Sequence, residues 1–232
     1  LQVVVAFRML PEQIWSFPSM GTLNVHGSLL PQYRGAAPIN WAIINGETKT
    51  GVTTFFIDDK IDTGAMILNA AIEISPNENA GELHDRLMFL GSDTVVETLK
   101  LVEKGTVVTT IQQDNPEIKT AHKLNKENCK IDWNKSATEI YNLIRGLSPY
   151  PVAWCYFKDN SQEWNVKIYE AKIIIENHSY SIGQIITSKK EIKIAVKDGF
   201  VQIISIQFPG KKKMASSELL NGITFSERAQ AE

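Results

Sequence analysis

Apolar positions in the first half of the chain form short runs that alternate with segments of helical spacing. The apolar run at 1–7 predicts a buried strand, whereas apolar residues within 38–46 repeat at the spacing of a helix. Asn79 and Glu82, three residues apart, predict the capped start of a longer helix. The predicted elements are strands at 1–7, 22–26, 51–57 and 65–74, and helices at 11–15, 38–46 and 79–104. Strands that alternate with helices indicate a layered α/β sheet.

The pattern changes after residue 105. Polar residues without a clear period dominate up to residue 135, and Ser136 with Glu139 then predicts a capping box for a helix that ends at Leu147. Short alternating segments follow, with predicted strands at 153–157, 166–175, 183–187, 191–196 and 200–208. Such closely spaced strands are typical of a small β-barrel of the OB type. We therefore expect an α/β domain over 1–105, a linker over 106–120 and an OB-like β-barrel domain over 121–232.

Composition excludes several classes of protein. Of the 232 residues, 43% are hydrophobic and 22% are charged, so the chain can bury a core and is not a disordered or collagen-like protein. The net charge of −2 gives no global reason to expect nucleic-acid binding, but the two halves differ. Residues 1–116 carry seven basic and thirteen acidic side chains, and residues 117–232 carry seventeen and thirteen. The halves are therefore expected to have different roles.

The cysteine count and the apolar runs predict a cellular compartment. Cys129 and Cys155 are too few for a disulfide framework or a cysteine-rich zinc site, and a buried structural role suits both. No apolar run approaches the roughly 18 to 20 residues of a membrane span. We therefore expect a cytoplasmic protein without membrane contact.

Candidate chemistry begins at the end of the predicted strand 22–26. Asn24 and His26 are two residues apart, so they project from the same face near the carboxyl end of that strand. In open α/β sheets this end binds ligands. An amide donor beside an imidazole suits stabilisation of an oxyanion and transfer of a proton. A histidine that is only hydrogen-bonded at a strand end is the alternative.

A polar loop at 58–64 offers a carboxylate for this pair. An aspartate from the loop would orient the His26 ring, as the acid does in hydrolase triads. The alternatives are a solvated acidic turn and a metal site. The loop lacks the glycine and the terminal glutamate of an EF-hand, and we expect no metal.

Several motifs together resemble one enzyme family. They are the block NVHGSLLPQYRGAAPI at 24–39, the GVT at 51–53, the DTG at 62–64, the GLSPYP at 146–151 and the PGKKKM at 209–214. In order and spacing they are similar to the folate-dependent formyltransferases. The resemblance implies a Rossmann-like catalytic domain followed by an OB-like barrel. Members of that family carry about eighty more residues ahead of this segment, with the first strands of the sheet, and we expect this chain to lack them.

The resemblance also implies site residues and substrates. The catalytic residues of the family correspond to Asn24, His26 and Asp62. Folate-binding positions correspond to Arg8, Leu10, Ser28, Leu29, Leu30 and Pro31. The implied reaction transfers a formyl group from 10-formyltetrahydrofolate to the α-amine of methionine on initiator tRNA, which supports translation initiation. The expected partners are this charged tRNA and the folate co-substrate, and the expected state is a monomer.

Three alternatives to this acceptor and this function stay open. An amino sugar linked to a nucleotide would use the same chemistry, while glycinamide ribonucleotide would leave the barrel without a role. The third alternative is a protein that binds RNA and catalyses no reaction. Lysines in the second half would favour tRNA contact or would only keep the surface soluble; they are Lys189, Lys190, Lys193, Lys197, Lys211, Lys212 and Lys213.

Overall fold

The computed structural model describes residues 1–5 and 10–232. The described chain divides into two compact units. Unit 1 consists of Leu1–Ala42, Glu47–Glu78 and Glu82–Lys123, and unit 2 consists of Ile43–Gly46, Asn79–Gly81 and Leu124–Glu232. Within the described ranges, no helix is both long enough and apolar enough to cross a lipid bilayer.

The helices and strands up to residue 123 follow the predicted alternation. In chain order they are β1 (Gln2–Val4), α1 (Glu12–Trp15), β2 (Thr22–His26), β3 (Arg34–Gly35), α2 (Pro38–Ile44), β4 (Lys49–Phe56), β5 (Met66–Glu73), α3 (Ala80–Glu103) and β6 (Thr120–Ala121). The α/β class predicted from the sequence is confirmed. Only the two-residue strands β3 and β6 were not expected, because segments this short carry no periodic signal.

A four-stranded sheet with the order β1-β2-β4-β5 forms the centre of unit 1. β1 runs parallel to β2, whereas β4 is antiparallel to both β2 and β5. β2 therefore lies inside the sheet, and Leu23, Asn24 and His26 are all buried. Because β2 has a strand on each side, its side chains at the carboxyl end are held in a fixed register.

Helix α3 packs on this sheet through one stripe of residues. Leu83, Leu87, Thr94 and Thr98 recur at helical spacing and are buried. The Thr98 hydroxyl lies 2.8 Å from the hydroxyl of Thr54 on β4. This polar contact joins the helix to the strand.

Unit 2 contains the predicted capped helix and the predicted barrel. Its elements are α4 (Ala137–Leu147), β7 (Ala153–Asp159), β8 (Gln162–Ile175), β9 (Ile185–Thr187), β10 (Ile192–Val196), β11 (Gly199–Gln207), β12 (Met214–Ala215), α5 (Ser216–Leu219) and β13 (Gln230–Ala231). The strand order is β13-β7-β8-β11-β10-β9, all antiparallel, and β12 pairs with β11.

Hydrogen bonds between the two ends of this sheet nearly close it into a barrel. The Ile185 amide donates to the Ala229 carbonyl over 2.9 Å, and the Ala231 amide donates to the Gly183 carbonyl over 2.7 Å. Ile140, Ile144 and Leu147 of α4 are buried in the core of the same unit. The barrel predicted from the sequence is confirmed.

The segment predicted as a linker, 106–120, forms part of unit 1. The Met66 amide donates to the Thr110 carbonyl over 2.9 Å, and the Thr110 amide donates back over 2.8 Å. Further along, Gln112 is buried and β6 pairs with β3 in parallel. Residues 110–121 therefore contribute to the surroundings of the end of β2.

Candidate functional site

A cleft of about 1260 Å³ opens in unit 1 beside the end of β2. Asn24 and His26 from β2 and Asp62 from the β4–β5 loop all face it. The start of α2 and a stripe of α3 provide apolar walls that include Pro38, Leu87 and Gly91. A cleft with mostly apolar walls and a few convergent polar groups has the usual character of a small-molecule site.

Asn24 and His26 lie on one face of β2, as their spacing predicted. Both are nearly inaccessible, with 5% and 6% of their surfaces exposed. The Oδ1 atom of Asn24 is buried and has no hydrogen-bond donor within the described part of the chain. Because buried polar atoms normally have partners, this acceptor is available to a ligand N–H in the cleft.

The His26 ring is held by a main-chain carbonyl. Its Nε2 atom lies 2.7 Å from the carbonyl oxygen of Tyr33, and this oxygen can only accept, so Nε2 carries the proton. Tyr33 adopts a left-handed backbone conformation, with φ of 61°, which is uncommon for a residue with a side chain. The remaining ring nitrogen, Nδ1, is the one left for chemistry.

Asp62 faces that second nitrogen. Its Oδ2 atom lies 3.7 Å from His26 Nδ1, which is within ion-pair range and longer than a hydrogen bond. The same oxygen accepts a hydrogen bond from the Gly35 amide over 2.9 Å. The carboxylate is therefore fixed beside the imidazole by a main-chain amide of β3.

The segment of four predicted folate-binding residues lies away from the lining of the cleft. Ser28 is buried and donates from Oγ to the Gln32 carbonyl over 2.6 Å. Thr53 on β4 donates to the Ser28 carbonyl over 2.8 Å and accepts from the Leu30 amide over 3.1 Å. Leu29 and Pro31 are half-buried. Hydrogen bonds thus tie this turn to β4.

The other two predicted folate-binding residues are placed differently. Leu10 lies in the wall of the cleft. Arg8 lies outside the described residues. The structure therefore brings Asn24, His26, Asp62 and Leu10 together in the lining of the cleft. The turn at 28–31 lies outside that lining.

The acidic loop at 58–64 is closed by its own hydrogen bonds. Thr63 donates from Oγ1 to the carboxylate of Asp58 over 2.8 Å, and the Lys60 amide donates to it over 3.1 Å. Among the described residues, no three His, Cys, Asp or Glu side chains are arranged to hold a metal ion.

Tyr33 was not recognised as part of the site from the sequence. It acts through its backbone carbonyl, so the type of its side chain gives no signal. Its hydroxyl donates to Glu47 over 2.5 Å, and Lys119 donates to the same carboxylate oxygen over 2.6 Å. Burial alone would raise the pKa of Glu47, but the hydrogen bonds from Lys119 and Tyr33 outweigh it and lower the pKa.

Neither cysteine is suited to nucleophilic chemistry. Cys129 and Cys155 are both buried in unit 2. Burial raises the pKa of each thiol, so both are protonated at neutral pH. A structural role, as expected from the sequence, agrees with this environment.

A second surface with a distinct character lies on the outer face of the barrel. Trp154 and Tyr156 of β7 alternate with buried residues and point outward, as does Tyr169 of β8. Three exposed lysines stack on these rings, with Lys126 Nζ 5.2 Å from Trp154, Lys130 Nζ 5.5 Å from Tyr156 and Lys213 Nζ 4.9 Å from Tyr169. We call these six residues the lysine–aromatic face.

Comparison with known protein families defines the class of protein. The family described as "Formyl transferase" matches residues 1–99, and "Formyl transferase, C-terminal domain" matches residues 123–224. The cleft with Asn24, His26 and Asp62 lies in the first match, and the barrel lies in the second. The fold is thus that of a formyl transferase.

Similar proteins narrow the class. A methionyl-tRNA formyltransferase from Flavobacterium johnsoniae is 70% identical over 230 residues, which cover 99% of this chain and 73% of the relative. A methionyl-tRNA formyltransferase from Bacteroides thetaiotaomicron is 49% identical and covers 98% of this chain and 72% of the relative. The chain belongs to the methionyl-tRNA formyltransferases of the formyl transferase family.

A solved structure supports the architecture. The N-formyltransferase from Helicobacter canadensis, in complex with folinic acid and dTDP-3-aminofucose, is 26% identical to this chain with a TM-score of 0.61. The match covers 78% of this chain and 64% of that chain. That protein shares the fold and was crystallised with an amino sugar, so fold similarity alone does not select the acceptor.

Proposed function

We propose that the protein transfers the formyl group of 10-formyltetrahydrofolate to the α-amine of methionine on initiator tRNA. The observation that carries the proposal is the convergence of Asn24, His26 and Asp62 at the end of β2, in a chain 70% identical to a methionyl-tRNA formyltransferase. The reaction needs these three side chains, and one chain supplies all of them. A monomer in the cytoplasm, where charged initiator tRNA is made, is therefore sufficient.

Attack of the methionine amine on the formyl carbon creates a tetrahedral oxyanion. The Asn24 amide and the protonated His26 ring stabilise this oxygen, since preorganised donors lower the energy of developing negative charge. The unpartnered Oδ1 atom of Asn24 accepts an N–H of the attacking amine. Asn24 thus orients the nucleophile with one atom of its amide and stabilises the oxyanion with the other.

Collapse of the oxyanion breaks the bond between the formyl carbon and N10 of the folate. His26, directly or through a water that it positions, delivers a proton to N10. The amine loses one proton as N10 gains one, so the transfer is balanced without a further reactant. Asp62, 3.7 Å from Nδ1, stabilises the imidazolium during this step.

The folate donor occupies the cleft of unit 1 in this proposal. Its pterin ring is flat, so its faces suit apolar walls such as Leu10, Leu87 and Gly91, while its N–H and carbonyl groups need polar partners. The turn at 28–31 is hydrogen-bonded to Thr53 of β4, and it supports the site from outside the lining of the cleft. No metal takes part, because the amine is a sufficient nucleophile and the oxyanion has neutral and cationic donors.

The lysine–aromatic face is the proposed contact for tRNA. Lys126, Lys130 and Lys213 form no ion pair with the described acidic side chains, so their charges are available to phosphates. The rings of Trp154 and Tyr169 hold the ammonium groups of Lys126 and Lys213 at this face. In contrast, Lys193 is paired with Glu191 and contributes less.

The second candidate acceptor is an amino sugar on a nucleotide. The Helicobacter canadensis N-formyltransferase, which was crystallised with dTDP-3-aminofucose, supports this alternative because it shares the fold. The identity of 26% with that protein is much lower than the 70% with the Flavobacterium johnsoniae protein.

Formyl transfer by the full chain to different acceptors tests the proposal. We expect N-formylmethionyl-tRNA from 10-formyltetrahydrofolate and methionine-charged initiator tRNA, and no transfer to a dTDP-linked amino sugar. Uncharged tRNA is the negative control, because it has no amine. Transfer to the sugar alone would change the acceptor and keep the chemistry, and transfer to neither would overturn the proposal.

A further inference from the structure

Gln112 lies beside the loop at 58–64 that carries Asp62. Its side chain is buried, although it lies in a segment whose neighbours Ile111 and Gln113 are exposed. Its Nε2 atom donates to the carbonyl of Asp62 over 2.9 Å and to the carbonyl of Gly64 over 2.8 Å. One side chain therefore ties together both ends of the turn that carries the carboxylate of Asp62.

Arg34 fixes the orientation of this amide. Its Nε atom donates to the Oε1 atom of Gln112 over 3.0 Å, while its guanidinium pairs with Asp114 over 2.6 Å. The two N–H groups and the oxygen of the Gln112 amide are thus all engaged. A flipped amide would place its oxygen against two carbonyl oxygens, so only one orientation fits.

The turn held by Gln112 has an unusual backbone. Asp62 has a φ of 54°, in the left-handed region that residues with side chains rarely adopt. Such backbone conformations persist where contacts with the surrounding residues hold them in place. The two hydrogen bonds from Gln112 are contacts of this kind, and they direct the Asp62 side chain toward the Gly35 amide and His26.

We propose that Gln112 is a positioning residue for the formyl transfer: by clamping the backbone of Asp62 and Gly64, it holds the Asp62 carboxylate beside His26. The inference rests on the proposed function for its kinetic consequence only. Gln112 does not line the cleft, so it acts through Asp62 and not on the substrate.

Replacement of Gln112 by Met keeps the length and removes the three hydrogen bonds. The matched control is Gln113→Met, the same change at the exposed neighbouring position. For Gln112→Met we expect kcat to fall roughly ten- to a hundredfold, the effect of a displacement of catalytic groups on the order of 1 Å. The KM for 10-formyltetrahydrofolate should change little, and Gln113→Met should match the wild type.

A second readout does not depend on activity. The Gly35 amide donates to the carboxylate of Asp62, so its hydrogen exchange, followed by NMR, reports the position of that carboxylate. In Gln112→Met the Gly35 amide should exchange faster than in the wild type, whereas in Gln113→Met it should be unchanged. Equal exchange in Gln112→Met and the wild type would overturn the inference, whatever the enzymatic activity.

A double-variant cycle separates positioning from a general structural role. If Gln112 acts through Asp62, then Gln112→Met should reduce kcat in the wild type but have almost no further effect in an Asp62→Asn background. Additive losses would contradict the proposal. A wild type that transfers no formyl group would refute the proposed function, while the Gly35 exchange would still decide the role of Gln112.

Discussion

His26 has only one ring nitrogen free for chemistry, because the carbonyl of Tyr33 occupies the other. This contact fixes the ring plane and leaves Nδ1 between Asp62 and the cleft. A side chain with 6% exposure and one engaged nitrogen cannot turn to serve another role. The proposed catalytic role of His26 thus depends on a backbone atom of a residue seven positions later.

Removal of either partner of this pair should reduce the rate strongly. His26→Ala and Asp62→Ala should each lower kcat by a hundred- to a thousandfold, since loss of an oxyanion donor or of its support typically costs roughly 2.7 to 4 kcal/mol. Binding of the folate, followed by fluorescence titration, should change little. The control is His122→Ala, an exposed histidine of unit 1. Near wild-type turnover in either variant would refute the assignment.

Glu47 should make the stability of unit 1 dependent on pH. Its pKa lies below the ordinary value of 4.5, so its carboxylate stabilises the folded state above that pH, and this contribution disappears as the pH falls through the lower pKa of the folded state. The melting temperature of Glu47→Gln should therefore lie below that of the wild type at pH 7, and the two should converge at strongly acidic pH.

The control for Glu47 is an exposed glutamate in the same unit. Glu117→Gln should melt like the wild type throughout the range, because its side chain is exposed. A difference between Glu47→Gln and the wild type that does not depend on pH would contradict the role of the charge.

At the level of elements, α4 illustrates what a local signal can specify. The Glu139 amide donates to the Ser136 hydroxyl over 3.2 Å, and the Ser136 amide donates to the Glu139 carboxylate over 3.0 Å. These two bonds satisfy donors that the first turn of a helix leaves without partners. The helix begins at Ala137 because the cap lies one residue before it.

Ser136→Ala should therefore destabilise unit 2. We expect a loss of about 1 kcal/mol in the free energy of unfolding, the usual cost of an N-cap hydroxyl. Urea unfolding followed by circular dichroism measures it, with Ser161→Ala in the exposed turn between β7 and β8 as the control. Equal midpoints for Ser136→Ala and the wild type would show that the cap contributes nothing.

Helices and strands with a hydrophobic period or a capping motif could be predicted from the sequence. Strands that form only through contacts between residues far apart in the chain could not. α4, β2 and β4 follow from spacing along the chain. The short β3 and β6 exist only because Gly35 meets Ala121, far along the sequence. A β-carbon on Gly35 would lie 2.4 Å from the Ala121 carbonyl oxygen, a requirement that no local pattern reveals.

The candidate site divides in the same way. Asn24 and His26 could be predicted because a spacing of two residues places side chains on one face of a strand. Tyr33 acts through a carbonyl, and Gln112 acts through a hydrogen bond to Asp62, fifty positions earlier in the chain. The sequence around Gln112 reads as a polar linker, because its burial depends on contacts with unit 1 and not on its neighbours.

At the scale of the whole molecule, the charges of the two halves differ. The acidic half holds the cleft, and the basic half holds the lysine–aromatic face. A polyanion would thus contact the basic half of the chain and not the acidic half. This division agrees with a reaction in which a formyl group passes from a folate to an amine carried by a tRNA.

The affinity for tRNA should fall steeply with salt. Each lysine that neutralises a phosphate adds roughly 0.7 to 0.9 to the slope of log affinity against log salt concentration. Replacement of Lys126, Lys130 and Lys213 by Gln should therefore reduce the slope by about two to three. The control is Lys104→Gln, an exposed lysine of unit 1. A flat salt dependence in the wild type would contradict tRNA contact through phosphates.

The barrel can close only after β13 has been synthesised. β13 pairs with β7, and its neighbour Ala229 together with Ala231 joins the segment at 183–185. While the residues before β13 are still being synthesised, the β9 edge and the part of β7 at 157–158 lack these partners. Unpaired edges are sites of aggregation, so the nascent chain is most vulnerable in that interval, and closure of the barrel is the event that ends it.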